Sequence, residues 1–164
     1  MFEISKSIVL YYSLEQETKT LAEIISDSTG FEIKELILEE PTSINDQQTY
    51  HWKGKKYNVS KNPKIEDLEI SFNDYDLIFI GSPVWELTYS PAIKSLFENN
   101  EIRNKKIAVF FTHEGEKGNF LSEFKELIGE NELVGYIDFY DPLNSNLDSI
   151  EEEISKWAKG IKEK

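Results

Sequence analysis

Residues 13–18, Ser-Leu-Glu-Gln-Glu-Thr, form a polar segment that could hold an anion. The apolar run before this segment is typical of a buried strand, and the residues after it show helical spacing. Where a strand leads into a helix, unpaired amides and the helix dipole attract anions, and the hydroxyls of Ser13 and Thr18 would add donors. The segment also lacks glycine and carries Glu15 and Glu17, whose charges oppose an anion. We call residues 13–18 the first segment.

Residues 81–91, Gly-Ser-Pro-Val-Trp-Glu-Leu-Thr-Tyr-Ser-Pro, are the most specific stretch of the chain and are called the second segment. This segment leaves a predicted strand through Gly81, and Pro91 suits the first turn of a helix. Trp85 is well placed to lie against a flat ligand, whose edge could bond to nearby backbone amides. The alternative is that Trp85 caps the core.

Strand-like and helix-like spacing alternate along the chain. Strands are predicted at residues 7–12, 31–38, 76–80, 106–111 and 133–139, and helices at 18–29, 91–99, 119–128 and 148–161. This alternation is typical of a parallel sheet with helices on both faces. We therefore predict one α/β domain over residues 1–164, a doubly wound five-stranded parallel sheet of order 2-1-3-4-5.

Ligands bind such sheets at the carboxyl ends of the strands, beside the switch point between the first and third strands. The first and second segments both follow strands at that point. The loop after the fourth predicted strand, residues 112–118, should lie beside them and is called the third segment.

Residues 41–63 interrupt the alternation. They are polar, contain a glycine at position 54, and are locally basic in an acidic chain. The residues that could contact a ligand are Lys53, Lys55, Lys56, Lys61, His51, Trp52 and Tyr57. We interpret this stretch either as a surface excursion or as a flap whose aromatic residues cover a ligand while its lysines meet the anionic part.

Composition limits the classes of partner. With 31 acidic against 18 basic residues, the formal net charge is −13, so nucleic acid is not an expected partner. The acidity either maintains solubility or forms a face that docks a basic redox partner. No run of about 18 apolar residues predicts a membrane span, and the start of the chain lacks the pattern of a signal peptide. We expect a cytoplasmic protein.

The chain offers little for catalysis by side chains. It has no cysteine, which excludes disulfides and thiolate chemistry. Its two histidines are too far apart in sequence to indicate a metal site. We interpret His113 as a solvent-exposed or hydrogen-bonding side chain, and we predict neither a catalytic side chain nor a bound metal.

The chain resembles the flavodoxin family, in particular flavodoxin-like proteins and flavin reductases with a G-[ST]-P-[VI]-W stretch. The resemblance rests on the run Tyr-Asp-Leu-Ile-Phe-Ile-Gly-Ser-Pro-Val-Trp at residues 75–85, on Pro-Ala-Ile at 91–93, and on Ser-Ile-Val-Leu-Tyr-Tyr-Ser at 7–13. It extends from about Lys6 to Lys162. It implies a flavodoxin-like fold, non-covalently bound FMN, and a role as an electron carrier or an NAD(P)H-dependent reductase.

The resemblance also implies which residues would hold the FMN. In the first segment, Ser13 and Thr18 match the ends of the family's phosphate turn, and Glu15, Gln16 and Glu17 replace its interior, including a glycine. In the second segment the flavin ring would be faced by Ser82, Pro83, Val84 and Trp85. A carboxylate at Glu86 would disfavour the anionic reduced flavin. In the third segment the contacts would come from Thr112, His113, Gly115 and Gly118.

We therefore expect an FMN-binding flavodoxin-like protein that transfers electrons. A redox protein, NAD(P)H or a second copy of the chain would be its partners. One alternative is a protein of this fold that has lost the flavin and serves as a binding or regulatory module. Another keeps the pocket but changes the ligand, with residues 53–61 supplying the anion contact.

Overall fold

The computed structural model describes residues 6–39, 47–52, 54–60 and 63–163. The strands are β1 (Ser7–Tyr11), β2 (Glu32–Glu35), β3 (Gln47–Trp52), β4 (Lys55–Ser60), β5 (Leu77–Pro83), β6 (Lys106–His113) and β7 (Glu132–Tyr140). The helices are α1 (Glu17–Thr29), α2 (Pro91–Asn99), α3 (Phe120–Ile128) and α4 (Leu147–Lys162). In these described residues, no helix is both long and apolar enough to cross a membrane.

Five strands form one parallel sheet in the order β2-β1-β5-β6-β7. Numbered among themselves, these strands have the predicted order 2-1-3-4-5, so the predicted fold is confirmed. The central strand β5 is buried at all seven positions, because a parallel strand covered on both faces requires a continuous apolar run.

Side chains that alternate along the strands divide the core into two layers. Ile8, Leu10 and their neighbours on one face pack against α2 and α3. Val9 and Tyr11, pointing the other way, pack against α1 and α4. The apolar stripes of the four helices therefore fix the sheet from both sides, and the carboxyl ends of β1, β5 and β6 lie side by side.

The sequence prediction was wrong at several boundaries. β2 ends at Glu35 rather than at residue 38, and Leu38 instead forms an isolated antiparallel bridge with Ile65. β5 and β6 continue through Pro83 and His113. Pairing of Ser82 with Phe111 and of Pro83 with Thr112 extends the ladder beyond the apolar run that marked each strand.

Residues 41–63 contain a structure that the sequence analysis missed. β3 and β4 pair as an antiparallel hairpin, separate from the main sheet, with Tyr50 opposite Tyr57. Gly54 adopts a φ of 77° near the hairpin's turn, a value that favours glycine. Residues 40–46, Lys53, Lys61 and residue 62 lie outside the described residues, and so do the side chains of His51 and Trp52.

Gly81 permits close packing next to the first segment. A Cβ at this position would lie 2.3 Å from the ring of Phe110 and 3.0 Å from Cγ2 of Thr18. Both neighbours are essentially inaccessible to solvent. Glycine at the end of β5 therefore allows α1 to approach the sheet and places Thr18 over it.

Gly81→Ala should lower the free energy of unfolding by about 1–3 kcal/mol, because the added methyl group has no room beside Phe110. Gly160→Ala is the matched control, since Gly160 is exposed in α4 and an added Cβ would meet nothing within 4 Å. It should raise the free energy of unfolding by about 0.5–1 kcal/mol. Urea unfolding measures both changes. An unchanged midpoint for Gly81→Ala would contradict the packing argument.

Candidate functional site

The three predicted segments meet at one edge of the sheet. The Thr18 and Thr112 hydroxyl oxygens lie 3.2 Å apart, which joins the first segment to the third. The backbone amide of Val84 donates to the carbonyl oxygen of Thr112 at 2.8 Å, which joins the second segment to the third. A small cavity between the segments is lined by Ser13, Leu14, Glu15, Glu17, Thr18, Pro83 and Thr112.

The first segment is organised around the hydroxyl of Ser13. This hydroxyl donates to the carbonyl oxygen of Glu15 at 2.7 Å and accepts from the amide of Lys19 at 3.4 Å. Gln16 precedes α1, and its side chain is exposed and makes no capping hydrogen bond. The positive end of the α1 dipole therefore lies next to the cavity, together with the hydroxyls of Ser13 and Thr18.

Glu15 and Glu17 take different directions. Oε1 of Glu15 accepts from the Tyr57 hydroxyl at 2.8 Å and lies 3.2 Å from Nζ of Lys55. Glu15 is thus directed towards the hairpin. Burial of the Tyr57 hydroxyl is the main cause that raises the pKa of Tyr57, and its hydrogen bond to Glu15 is the next. Glu17 is only 4% exposed and lines the cavity.

The cavity is smaller than a phosphate group. Its volume is about 10 Å³, which is room for about one water molecule. Glu17 and Thr18 are the lining residues that α1 contributes. An anion can occupy this place only if the surrounding side chains move.

The second segment contains a tight turn after Trp85. Trp85 and Thr88 exchange two backbone hydrogen bonds of 2.7 and 3.0 Å. The intervening Glu86 and Leu87 have φ values of 47° and 68°, the combination that type I′ turns require and that non-glycine residues disfavour. Backbone strain of this kind persists only where surrounding contacts enforce it.

The third segment and the residue that follows it provide those contacts. The amide of Asn119 donates to the carbonyl oxygen of Leu87 at 2.9 Å. A Cβ at Gly118 would lie 2.3 Å from Cβ of Leu87, and Gly118 itself has a φ of 53°. Gly118 therefore allows the second and third segments to interlock, a role in packing that its sequence position alone did not indicate.

Ser82 and His113 hold the backbone in place. The fully buried Ser82 hydroxyl accepts from the Ser90 amide at 3.1 Å, which fixes the approach to α2. His113 is 6% exposed, and its Nε2 lies 2.9 Å from Oδ2 of Asp138. Its Nδ1 accepts from the amide of Gly115 at 3.1 Å. His113 is thus a buried, hydrogen-bonding side chain, which is the second of the two roles offered by the sequence analysis.

Trp85 is covered by the hairpin. The Tyr50 and Trp85 rings stack with centroids 3.7 Å apart and planes 9° apart. The Tyr50 hydroxyl donates to the carbonyl oxygen of Val84 at 3.0 Å. Trp85 is 3% exposed, so in this conformation it belongs to the core, as the alternative interpretation held.

Sequence reasoning missed Tyr50 as a site residue. A signal was present, since aromatic residues at positions 50 and 57 lie on either side of Gly54, as in a two-stranded hairpin. In the flap interpretation, the lysines of this stretch would meet an anion. In the structure Lys55 lies against Glu15, and Lys56 is exposed.

Comparison with known proteins agrees with this architecture. The family model described as Flavodoxin matches residues 6–158. The chain belongs to the flavodoxin family. It is 28% identical to a flavodoxin of Maridesulfovibrio salexigens over 168 residues, which cover 98% of this chain and 99% of that protein.

Solved structures show the same relationship. A flavoprotein of Lactobacillus acidophilus, crystallised in complex with FMN, is 29% identical with a TM-score of 0.65 and covers 82% of this flavodoxin and 93% of its own chain. A Bacteroides eggerthii protein, at 21% identity, has a TM-score of 0.72 over 96% of this chain and 98% of its own. The second similarity establishes the fold alone.

Tyr57→Phe should loosen the hairpin of this flavodoxin more than Lys55→Met does. The Tyr57→Phe substitution removes a partly buried hydrogen bond to the Glu15 carboxylate, which contributes about 1–3 kcal/mol. Lys55 is 69% exposed, and exposed ion pairs contribute about 1 kcal/mol or less. Hydrogen exchange of the β3 and β4 amides should therefore accelerate by about 5- to 150-fold for Tyr57→Phe and by less than about fivefold for Lys55→Met.

Tyr75→Phe is the control for this comparison, because Tyr75 donates to Glu32 at 2.7 Å, away from the hairpin. It should leave exchange in β3 and β4 unchanged. Faster exchange for Lys55→Met than for Tyr57→Phe would mean that the ion pair, not the hydrogen bond, holds the hairpin.

Proposed function

We propose that this flavodoxin binds FMN at the carboxyl ends of β1, β5 and β6 and acts in electron transfer. The observation that carries the proposal is the meeting of the Ser13, Thr18 and Thr112 hydroxyls with the amino end of α1 at one cavity. This set of donors suits a phosphate monoester. The family match and the FMN complex of the Lactobacillus relative support the same cofactor.

The donor set fits the FMN phosphate, but the volume does not yet accommodate it. Glu17 is buried at the cavity, whereas Glu15 is held by the hairpin. A carboxylate about 5 Å from a phosphate charge costs roughly 1–3 kcal/mol at intermediate dielectrics. Binding therefore requires the Glu17 side chain to move or to lose its charge, while Glu15 is already directed elsewhere.

The remaining predicted residues would surround the ring. Pro83, Val84 and Trp85 form one side of the ring site, and Thr112, His113, Gly115 and Gly118 shape the neighbouring wall. His113 fixes that wall through its bonds to Asp138 and Gly115. Bound flavin supplies one- or two-electron chemistry. The exposed carboxylates of Glu86 and Glu114 would disfavour the anionic reduced flavin.

The identity of the electron partner is part of the proposal. A net charge of −13 supports a basic redox protein as a docking partner, and NAD(P)H is the alternative electron donor. We place this chemistry in the cytoplasm, where either donor would be available, and we include a homodimer among the assemblies to be tested.

Glu17→Gln should tighten FMN binding by about 5- to 150-fold, because it removes a buried charge next to the phosphate at little cost in shape. Glu15→Gln should change FMN affinity less, since its carboxylate is directed towards Tyr57. Quenching of FMN fluorescence gives both dissociation constants. Riboflavin has no phosphate, so its affinity should be the same for Glu17→Gln and for the unmodified protein.

Glu23→Gln is the control for a general charge effect, because Glu23 is an exposed carboxylate on the same helix. It should leave both affinities unchanged. Full FMN fluorescence at micromolar protein would contradict the proposed function. Equal gains for Glu15→Gln and Glu17→Gln would contradict the distinct roles assigned to the two carboxylates.

A further inference from the structure

Tyr50 and Trp85 form a parallel aromatic pair from two distant parts of the chain. Their planes differ by 9° and their centroids lie 3.7 Å apart. Aromatic pairs more often adopt offset or edge-to-face arrangements, and a near-sandwich is less favourable. A parallel pair has one further property: a third flat ring can enter it without either ring having to turn.

The hairpin that carries Tyr50 is a two-stranded sheet of its own. Its backbone pairs with no strand of the main sheet in the described part of the chain. It reaches the ligand segments through Tyr50 and through the Tyr57 and Lys55 contacts with Glu15. Two-stranded hairpins have little stability of their own, so the position of this hairpin depends on what lies beneath it.

The third segment lacks a ring to cover a flat ligand. Residues 112–118 read Thr-His-Glu-Gly-Glu-Lys-Gly, and the ring of His113 is buried and hydrogen-bonded to Asp138. A flat apolar ligand at Trp85 would keep one face in water unless another element covered it, and ligand sites bury most of their ligand's surface. Among the described residues, Tyr50 is the aromatic side chain stacked directly on Trp85.

We propose that Tyr50 forms the second face of the flavin-binding slot, so that the flavin ring enters between Tyr50 and Trp85. This inference rests on the proposed function. The hairpin moves outward by about one ring thickness, roughly 3.5 Å. That movement breaks the Tyr50 hydrogen bond to Val84 and strains the Tyr57 bond to Glu15. The hairpin is then a wall of the site and selects ligands by the flatness of their ring.

The test compares flavin affinity among variants of Tyr50, with FMN and riboflavin as probes. Tyr50→Leu, which removes the ring, should weaken both ligands by about 5- to 150-fold, the usual effect of losing one stacking partner. Tyr50→Phe keeps the ring and loses only the hydroxyl, so it should stay within about threefold of the unmodified protein. Tyr136→Leu alters an exposed tyrosine on β7 and should change neither affinity.

A spectroscopic comparison does not depend on removing the ring. If residue 50 stacks on bound flavin, the long-wavelength edge of flavin absorption should shift to the red in the order Phe, Tyr, Trp at position 50, because electron donation by the ring rises in that order. Tyr50→Trp and Tyr50→Phe supply the two ends of the series, and they serve as the test if Tyr50→Leu does not fold.

Each outcome supports or overturns the inference. Weakened binding by Tyr50→Leu together with the ordered spectral shift supports the slot. The slot is overturned, and FMN binding left intact, if Tyr50→Leu binds both flavins as tightly as the unmodified protein does. Identical flavin spectra for Phe, Tyr and Trp at position 50 would have the same meaning. Binding of riboflavin but not FMN by the unmodified protein contradicts the proposed cofactor, and the slot is then judged with riboflavin. Failure to bind either flavin overturns both proposals.

Discussion

Parallel pairing of β1 with β5, and of β5 with β6, is the constraint on which the site depends. It places three carboxyl ends side by side, and each end leads directly into a segment that contributes to the cavity. The complete burial of β5 makes this arrangement rigid. Short bonds between the segments, such as that from Val84 to Thr112, then hold the loops at fixed distances from one another.

The first segment combines features that favour and oppose an anion. Helix α1 and the hydroxyls attract negative charge, whereas an ionised carboxylate at Glu17 would repel it. Glu15 contributes less to this repulsion, because its carboxylate accepts a hydrogen bond from the Tyr57 hydroxyl and forms an ion pair with the Lys55 ammonium group. The hairpin thus offsets part of the negative charge that Glu15 brings to the first segment.

The strained backbone and the covered tryptophan both lie in the second segment. Glu86 and Leu87 adopt left-handed backbone conformations that Gly118 and Asn119 enforce. Trp85, immediately before that turn, is buried under Tyr50. The third segment thus holds one side of the site, and the hairpin covers the other. In the proposed slot, outward movement of the hairpin would leave the third segment in place.

The sequence by itself determined the sheet order, the four helices and the positions of the three segments. Local periodicity carries that information, because β5 and β6 are continuous apolar runs and α4 has a clear apolar stripe. Periodicity did not predict the exact strand ends, since the polar residues Ser82 and Thr112 extend the β5–β6 ladder beyond the apolar residues. Periodicity did not predict the hairpin either, because the strands β3 and β4 are mostly polar.

Only the tertiary structure decided where the two glutamates point and what covers Trp85. The bond from Tyr57 to Glu15 joins residues 42 positions apart, and that from Tyr50 to Val84 joins residues 34 apart. No local pattern encodes the direction of such contacts, because they depend on how the hairpin folds back over the sheet. Sequence thus located the first segment at the end of β1, and long-range packing settled that Glu15 faces the hairpin while Glu17 is buried at the cavity.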